Sequence, residues 1–180
     1  MAVLITVNEN SYISVTDADT YFNNRLYSDT WTSASTDNKS RALIMACKNI
    51  NKQFYKGIKK VEGQILAFPR CYVVDKRNDY NLLINRPINL TKYEPYINCY
   101  SIWNCEEEVT QNVKEAQCEE ALTLLERGNS QRRKLQQEGV SNFSLSGMSE
   151  NFKDGAGRGL LSQDAKELLK PYLAGAVSIV

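Results

Sequence analysis

The sequence contains no histidine. That absence removes the usual general base at neutral pH, the commonest metal ligand, and every Ser-His or Cys-His nucleophile. No Cys-x-x-Cys pair occurs. The five cysteines (Cys47, Cys71, Cys99, Cys105 and Cys118) are scattered and odd in number, which fits a fully paired disulfide framework poorly and gives a zinc site no compact ligand set. Cys47 and Cys118 fall on apolar helical faces and read as small core residues, so a reducing cytoplasm is the expected setting. No apolar run approaches the ~18 residues of a membrane span. No basic stretch followed by an apolar one marks a secretion signal. Charge imbalance is lacking too: 22 basic and 21 acidic side chains leave +1, whereas a dedicated nucleic-acid binder usually carries a clear basic surplus.

The chemistry-bearing patterns that remain are weak. Gly155-x-Gly-x-Gly lacks a preceding strand and a Gly-Lys-Ser/Thr ending, so it reads as a hinge and not as a phosphate loop. Glu106/Glu107 and Glu119/Glu120 are sequence neighbours, which do not face each other on a helix, and no catalytic dyad follows. Asp17 and Asp19 suit the first turn of a helix, where the dipole favours negative charge. The expectation is a protein that is not an enzyme and uses no metal or cofactor; an enzyme would need a pocket holding carboxylates of displaced acidity.

What is present is an ordinary globular composition, 42% hydrophobic and 24% charged over 180 residues, consistent with one domain over 1–180. After a short apolar start (Val3 to Val7, a strand or extended arm), Thr16 is positioned to cap a helix carrying Ala18, Phe22 and Leu26. Residues 30–37 are Ser/Thr-rich and predict a loop. A second helix, with Asp37 as its cap, carries Leu43, Ala46, Cys47, Ile50 and Phe54 at helical spacing, with Arg41, Lys48, Lys52 and Lys56 on the opposite face. Pro69 biases Phe68-Pro69-Arg70 to an ordered turn, with the ring in the core and Arg70 reaching carbonyls or carboxylates. Residues 71–105 are rich in Tyr and Asn and read as a long irregular insertion. A third helix, from about Glu106 to Arg127, is apolar over a broad arc and is the expected centre of the bundle. Its narrow polar strip carries Glu108, Glu115, Glu119 and Glu126. Residues 140–147 alternate weakly, as in a strand or hairpin, and Ser162 caps a last helix. The fold class is mainly α: a bundle of about four helices with a small β-hairpin, the insertion at 71–105, and an extended apolar tail at 174–180.

The near-neutral total hides a segregation. Residues 39–77 hold ten basic and two acidic side chains, and residues 105–128 hold two basic and seven acidic. Opposed faces of this kind either neutralise each other within one chain or draw copies together head to tail. Arg132, Arg133 and Lys134 offer a further basic cluster for phosphate or an acidic partner.

Several phrases stand in an order that resembles the phage head–tail connector proteins, also called adaptor or head-completion proteins, a group that includes members described as DnaT-like. Ile13-Ser14-Val15-Thr16-Asp17-Ala18-Asp19-Thr20-Tyr21-Phe22 is similar to the family's opening. Residues 39–51, the turn Gln64-Ile65-Leu66-Ala67-Phe68-Pro69-Arg70, residues 109–126 and residues 160–173 follow in family order. The insertion at 71–105 is longer than the usual connection. The resemblance implies a non-enzymatic virion part: a homo-oligomeric ring, commonly of twelve copies, beneath the portal, acting in DNA packaging and tail assembly. It would extend the channel for double-stranded DNA without sequence specificity and dock tail or stopper proteins. It would reside at the head–tail interface, or in the host cytoplasm during assembly, with no membrane partner. On that view Arg41, Lys48, Lys52 and Lys56 face a neighbouring subunit or the DNA lumen. The strip Glu108, Glu115, Glu119 and Glu126 answers them. Arg132, Arg133, Lys134, Ala176, Val177, Ile179 and Val180 contact portal or tail. The alternative is a single-stranded-DNA-binding module of replication type, in which tyrosines of the insertion stack on bases.

Overall fold

Side-chain caps decide where the expected helices begin. The structure is a computed structural model and describes residues 3–75, 101–127, 130, 142–145, 148–151 and 160–174. Helix α1 spans Val15–Asn23 and starts from Ser14, whose Oγ accepts from the Asp17 amide at 3.1 Å. Thr16 therefore lies inside the helix and is not its cap. Helix α3, Thr36–Asn51, starts from Ser35, whose hydroxyl accepts from the Asn38 amide, so Asp37 sits in the first turn. Ser162 does cap the last helix, α5 (Gln163–Leu169), accepting from the Ala165 amide.

Between α1 and α3 the Ser/Thr-rich stretch predicted as a loop contains a short helix, α2, at Asp29–Ser33. Its reason is Trp31, which is 1% exposed and lies 4.6 Å, centroid to centroid, from Phe22. The indole Nε1 donates to Asp19 Oδ1 at 2.7 Å, and Lys39 Nζ donates to the same oxygen at 2.8 Å while lying over the indole ring. Asp19 is thus a bridge between helices, not a free partner of the α1 dipole. Residues 3–7 form no strand; Val7 makes only an isolated bridge with Ser11.

Helix α4, Gln111–Arg127, packs against both α3 and α5. It begins later than expected, because Glu106 accepts from the Arg70 amide and the Tyr72 hydroxyl and is held outside the helix. Every side chain from Ala116 to Leu122 is buried, Gln117, Glu119 and Glu120 included. A buried polar group without partners costs about 1–3 kcal/mol, and these three are partnered. Gln117 accepts from the Tyr12 amide at 2.8 Å and donates to Ser11 Oγ and the Leu43 carbonyl. Glu120 accepts from Asn49 Nδ2 and from the amides of Leu161 and Ser162, all at 2.9 Å. Two apolar clusters flank this helix: one around Phe22, Trp31, Leu43 and Leu122, the other around Tyr12, Ile50, Phe68, Val113 and Leu169.

Residues 71–105 are not irregular throughout. The segment leaves and returns as antiparallel strands, β2 (Arg70–Asp75) and β3 (Ser101–Cys105), in register from Cys71↔Cys105 to Asp75↔Ser101. The two-residue strand β1 (Ile58–Lys59) pairs on the other side of β2. Val73, Val74, Ile102 and Trp103 supply the β-branched and aromatic character that such pairing favours. A Cys71–Cys105 disulfide joins the strands, so two of the five cysteines are paired, a pairing the sequence reading did not identify. Cys47 and Cys118 are free and buried, as core residues. A separate hairpin pairs β4 (Asn142–Leu145) with β5 (Met148–Asn151), further along the chain than the alternation at 140–147 suggested. The architecture is mainly α, with five helices among the described residues and a small three-stranded sheet.

Burial pushes the Cys47 thiol up from 9.0 to about 12, partly offset by its hydrogen bond from Asn51. A thiol kept neutral in the fold but free to ionise when unfolded contributes stability below its unfolded pKa and loses it as pH rises toward the folded value. Denaturation midpoints are therefore expected to hold near neutrality and to fall between about pH 9 and pH 12, and Cys47→Ala to flatten the first part of that fall. Tyr12, Tyr55 and Cys118, all raised chiefly by burial, steepen the alkaline end. Urea titrations across pH 7–11 measure it; a midpoint unchanged up to pH 11 would contradict the burial of these groups.

Candidate functional site

The basic residues of α3 converge by helix geometry. At 100° per residue, Arg41, Met45, Lys48 and Lys52 fall within about 60° of one another, along roughly 16 Å of helix. All are exposed, Met45 at 48%. Among the described residues none of these three cations pairs with a carboxylate. Beyond Lys52, the C-cap, the chain leaves the helix.

Phe54 is the largest departure from the sequence reading. Its spacing from Ile50 placed it on the apolar face of the helix, but α3 ends at Asn51 and the ring stands 85% exposed. The chain there is extended, with Tyr55 forming an isolated antiparallel bridge to Leu173. The Phe54 carbonyl accepts from the Ala174 amide, and the Lys56 amide donates to the Tyr172 carbonyl. Extended backbone alternates its side chains. Tyr55 therefore turns inward, its ring 4.7 Å from Phe68, while Phe54 and Lys56 turn outward on one side. Ile58, Lys59, Lys60, Val61 and Ile65 continue the exposed surface. The ammonium groups of Lys56, Lys59 and Lys60 lie on the carbonyls of Pro171, Gln64 and Glu107, respectively, and among the described residues none of them pairs with a carboxylate. A bare aromatic ring between exposed lysines is a surface that can stack on a planar group while holding anions on either side. The available signal was the polar run Asn51-Lys52-Gln53, which ends the helix before Phe54.

The predicted turn anchors this arm. Phe68 is buried and the Phe68–Pro69 peptide is cis. Arg70, buried too, donates from Nε to the Lys56 carbonyl at 2.7 Å, from Nη1 to Ala67 at 3.1 Å, and from Nη2 to Gly57 at 2.7 Å and Tyr55 at 3.4 Å. Gly57 has φ +71°, and a Cβ there would lie 2.1 Å from the Cys71 carbonyl oxygen, so no other residue fits without moving the arm.

The acidic strip does not form as one surface. Glu119 is buried and takes a two-point hydrogen bond from Arg25 (Nε to Oε1 2.5 Å, Nη2 to Oε2 2.8 Å) and another from the Tyr21 hydroxyl at 2.6 Å. Burial pulls the Arg25 pKa down, and Glu119 more than offsets it, so the net direction is upward. Its charge is matched within the chain and is not available to a neighbour. Glu108 and Glu126 are exposed and Glu115 is half-buried. Asp17, Glu107, Glu108 and Glu115, with Arg25 and Lys114, rim a groove of about 1000 Å³ between α1 and the start of α4, a poor seat for phosphate. Among the described residues no group of three His, Cys, Asp or Glu side chains is placed to hold a metal ion, and no helix is long and apolar enough to cross a membrane. Arg132, Arg133, Lys134, Ala176, Val177, Ile179 and Val180 lie outside the described residues, as do Tyr80, Tyr93, Tyr96 and Tyr100 of the insertion and the glycine hinge. Tyr72 is described, half-buried with its hydroxyl on Glu106.

Comparison with known proteins gives one family match: residues 4–82, under half of the chain, fit the family described as "Putative DnaT-like ssDNA binding protein". The matched stretch contains α1–α3, the arm and the Phe68-Pro69-Arg70 turn. No curated protein and no solved structure matches the chain. The family match corrects the resemblance drawn from the sequence: the phrases within residues 4–82 fit a single-stranded-DNA-binding description and not head–tail connectors, and those at 109–126 and 160–173 lie outside the match. With that resemblance go the virion location, the portal-bound ring and the platform for tail proteins, for which nothing else speaks. Short phrases built from common helical and turn chemistry are shared too widely to separate two such families.

Proposed function

We propose that the chain is a non-catalytic module that binds single-stranded DNA through the outer face of α3 and the arm that follows it. The observation carrying this reading is Phe54, 85% exposed and flanked in sequence by the exposed Lys52 and Lys56, within the stretch that fits a single-stranded-DNA-binding family. Arg41, Lys48, Lys52 and Lys56 neutralise successive phosphates; Phe54 offers a ring on which an unpaired base stacks. A duplex keeps its bases stacked on one another and gives Phe54 nothing to meet, so the preference is for single strands. The near-zero net charge is no obstacle, because Arg41, Lys48 and Lys52 share one side of α3 and none of them pairs with a carboxylate among the described residues.

The test is fluorescence anisotropy with a labelled oligothymidylate and a duplex of equal length at several salt concentrations. Wild-type protein is expected to bind the single strand more tightly, and Phe54→Ala to lose about 1–3 kcal/mol of that binding with little loss on duplex. Absence of binding at 50 mM salt, or equal affinity for duplex with Phe54→Ala silent, would defeat the reading.

A further inference from the structure

Part of the proposed DNA-binding surface stands on a short arm outside α3, whose backbone is tied on one side to residues 172–174 and is otherwise held by a two-residue strand and by Arg70. The only buried cation among the described residues that reaches the arm's backbone is Arg70. Its guanidinium takes the carbonyls of three consecutive arm residues, Tyr55, Lys56 and Gly57, together with that of Ala67, and lies 5.7 Å from the Tyr55 ring centroid. Its own strand is fixed in turn: the Arg70 amide donates to Glu106 Oε2 and its carbonyl accepts from the Glu106 amide, both at 2.9 Å.

We infer that Arg70 is a positioning residue for single-stranded DNA: without touching the strand, it locks the arm so that Phe54 and Lys56 project together from one side. The inference rests on the proposed DNA-binding reading. A lysine keeps the charge but offers donors from a single nitrogen, and cannot span four carbonyls as a planar fork does. Arg70→Lys therefore isolates pose from charge. Residues acting through one another give non-additive effects, whereas independent ones add.

The experiment measures oligothymidylate affinity for wild type, Arg70→Lys, the pair Phe54→Ala/Lys56→Gln, and the triple variant. Alongside it, hydrogen exchange is followed at the Lys56 and Ala174 amides. Arg70→Lys is expected to weaken binding about tenfold in the wild-type background and less than about twofold when Phe54 and Lys56 are already gone. Exchange should accelerate at Lys56 and Ala174 while α4 amides keep their protection. An equal loss in both backgrounds, or unchanged exchange at the arm, overturns the inference. If wild type itself binds no oligonucleotide, the functional reading fails, and the exchange data alone decide whether Arg70 holds the arm. Should Arg70→Lys not fold, Gly57→Ala displaces the same carbonyls from the arm side, and the same cycle applies to it.

Discussion

Phe68→Ala is expected to destabilise the fold by about 4 kcal/mol, the full cost of a buried phenylalanine truncation. The ring is 2% exposed and lies between Tyr12, Tyr55 and Tyr172 at centroid distances of 6.1, 4.7 and 5.6 Å, all edge-on. The cost of such a truncation depends on how far the walls can collapse, and here they are pinned. The Tyr12 hydroxyl donates to Asn51 Oδ1, which also accepts from the Ala67 amide, and the Tyr55 hydroxyl donates to the Ile50 carbonyl. Filling the void would break those bonds, so most of the cavity should persist. Urea denaturation measures the effect through its midpoint at constant slope. A loss below about 1.5 kcal/mol would mean that the tyrosines do move. Phe68→Leu, which keeps more of the volume, should cost clearly less.

The largest functional effect is expected from neutralising Arg41, Lys48, Lys52 and Lys56 together to glutamine. If each contacts a phosphate, the slope of log affinity against log salt should fall by about 2.8, at roughly 0.7 per contact on a single strand. Affinity at low salt should drop by more than about 100-fold. All four side chains are exposed, so stability should change little beyond the loss of the Lys56 contact with the Pro171 carbonyl. The pair of readouts separates charge from folding: a weakened binder with an unchanged midpoint supports the surface, while an unchanged salt slope would place the phosphates elsewhere. Glu115→Gln in the groove is the matching control, and should leave the slope alone.

The helices were legible in the sequence because their apolar residues recur with the helical period, and α4 was readable as central from the width of its apolar arc. Several other features were hidden for physical reasons. Trp31 overrides a Ser/Thr-rich segment because burying one indole outweighs weak local propensity. The β2–β3 pairing joins residues some thirty positions apart, which no local pattern reports, and the disulfide between them depends on that register. Glu119 sits on the polar strip of its helix by period and is nonetheless buried, because Arg25 comes from another helix to meet it. Arg41, Lys48 and Lys52 share one side of α3 as their spacing suggested, whereas Lys56, placed on that face by the same period, lies on the arm beyond the helix end. Phe54 was misread because a spacing of four from Ile50 is correct for a helix that has, in fact, already ended.

Helix α4 lies wholly outside the stretch that fits the family, and yet it supplies that stretch with its interior. Gln117 receives the amide of Tyr12 and donates to the carbonyl of Leu43, and Glu120 holds Asn49. Cut at residue 82, the chain would leave the inner faces of α1 and α3 open to water, with those polar groups orphaned. The segment that sequence comparison isolates is thus not an autonomous folding unit. Any minimal fragment designed to carry the arm proposed to contact DNA has to include this later helix, whose Val113 and Ala116 belong to the cluster on which Tyr55 of the arm packs.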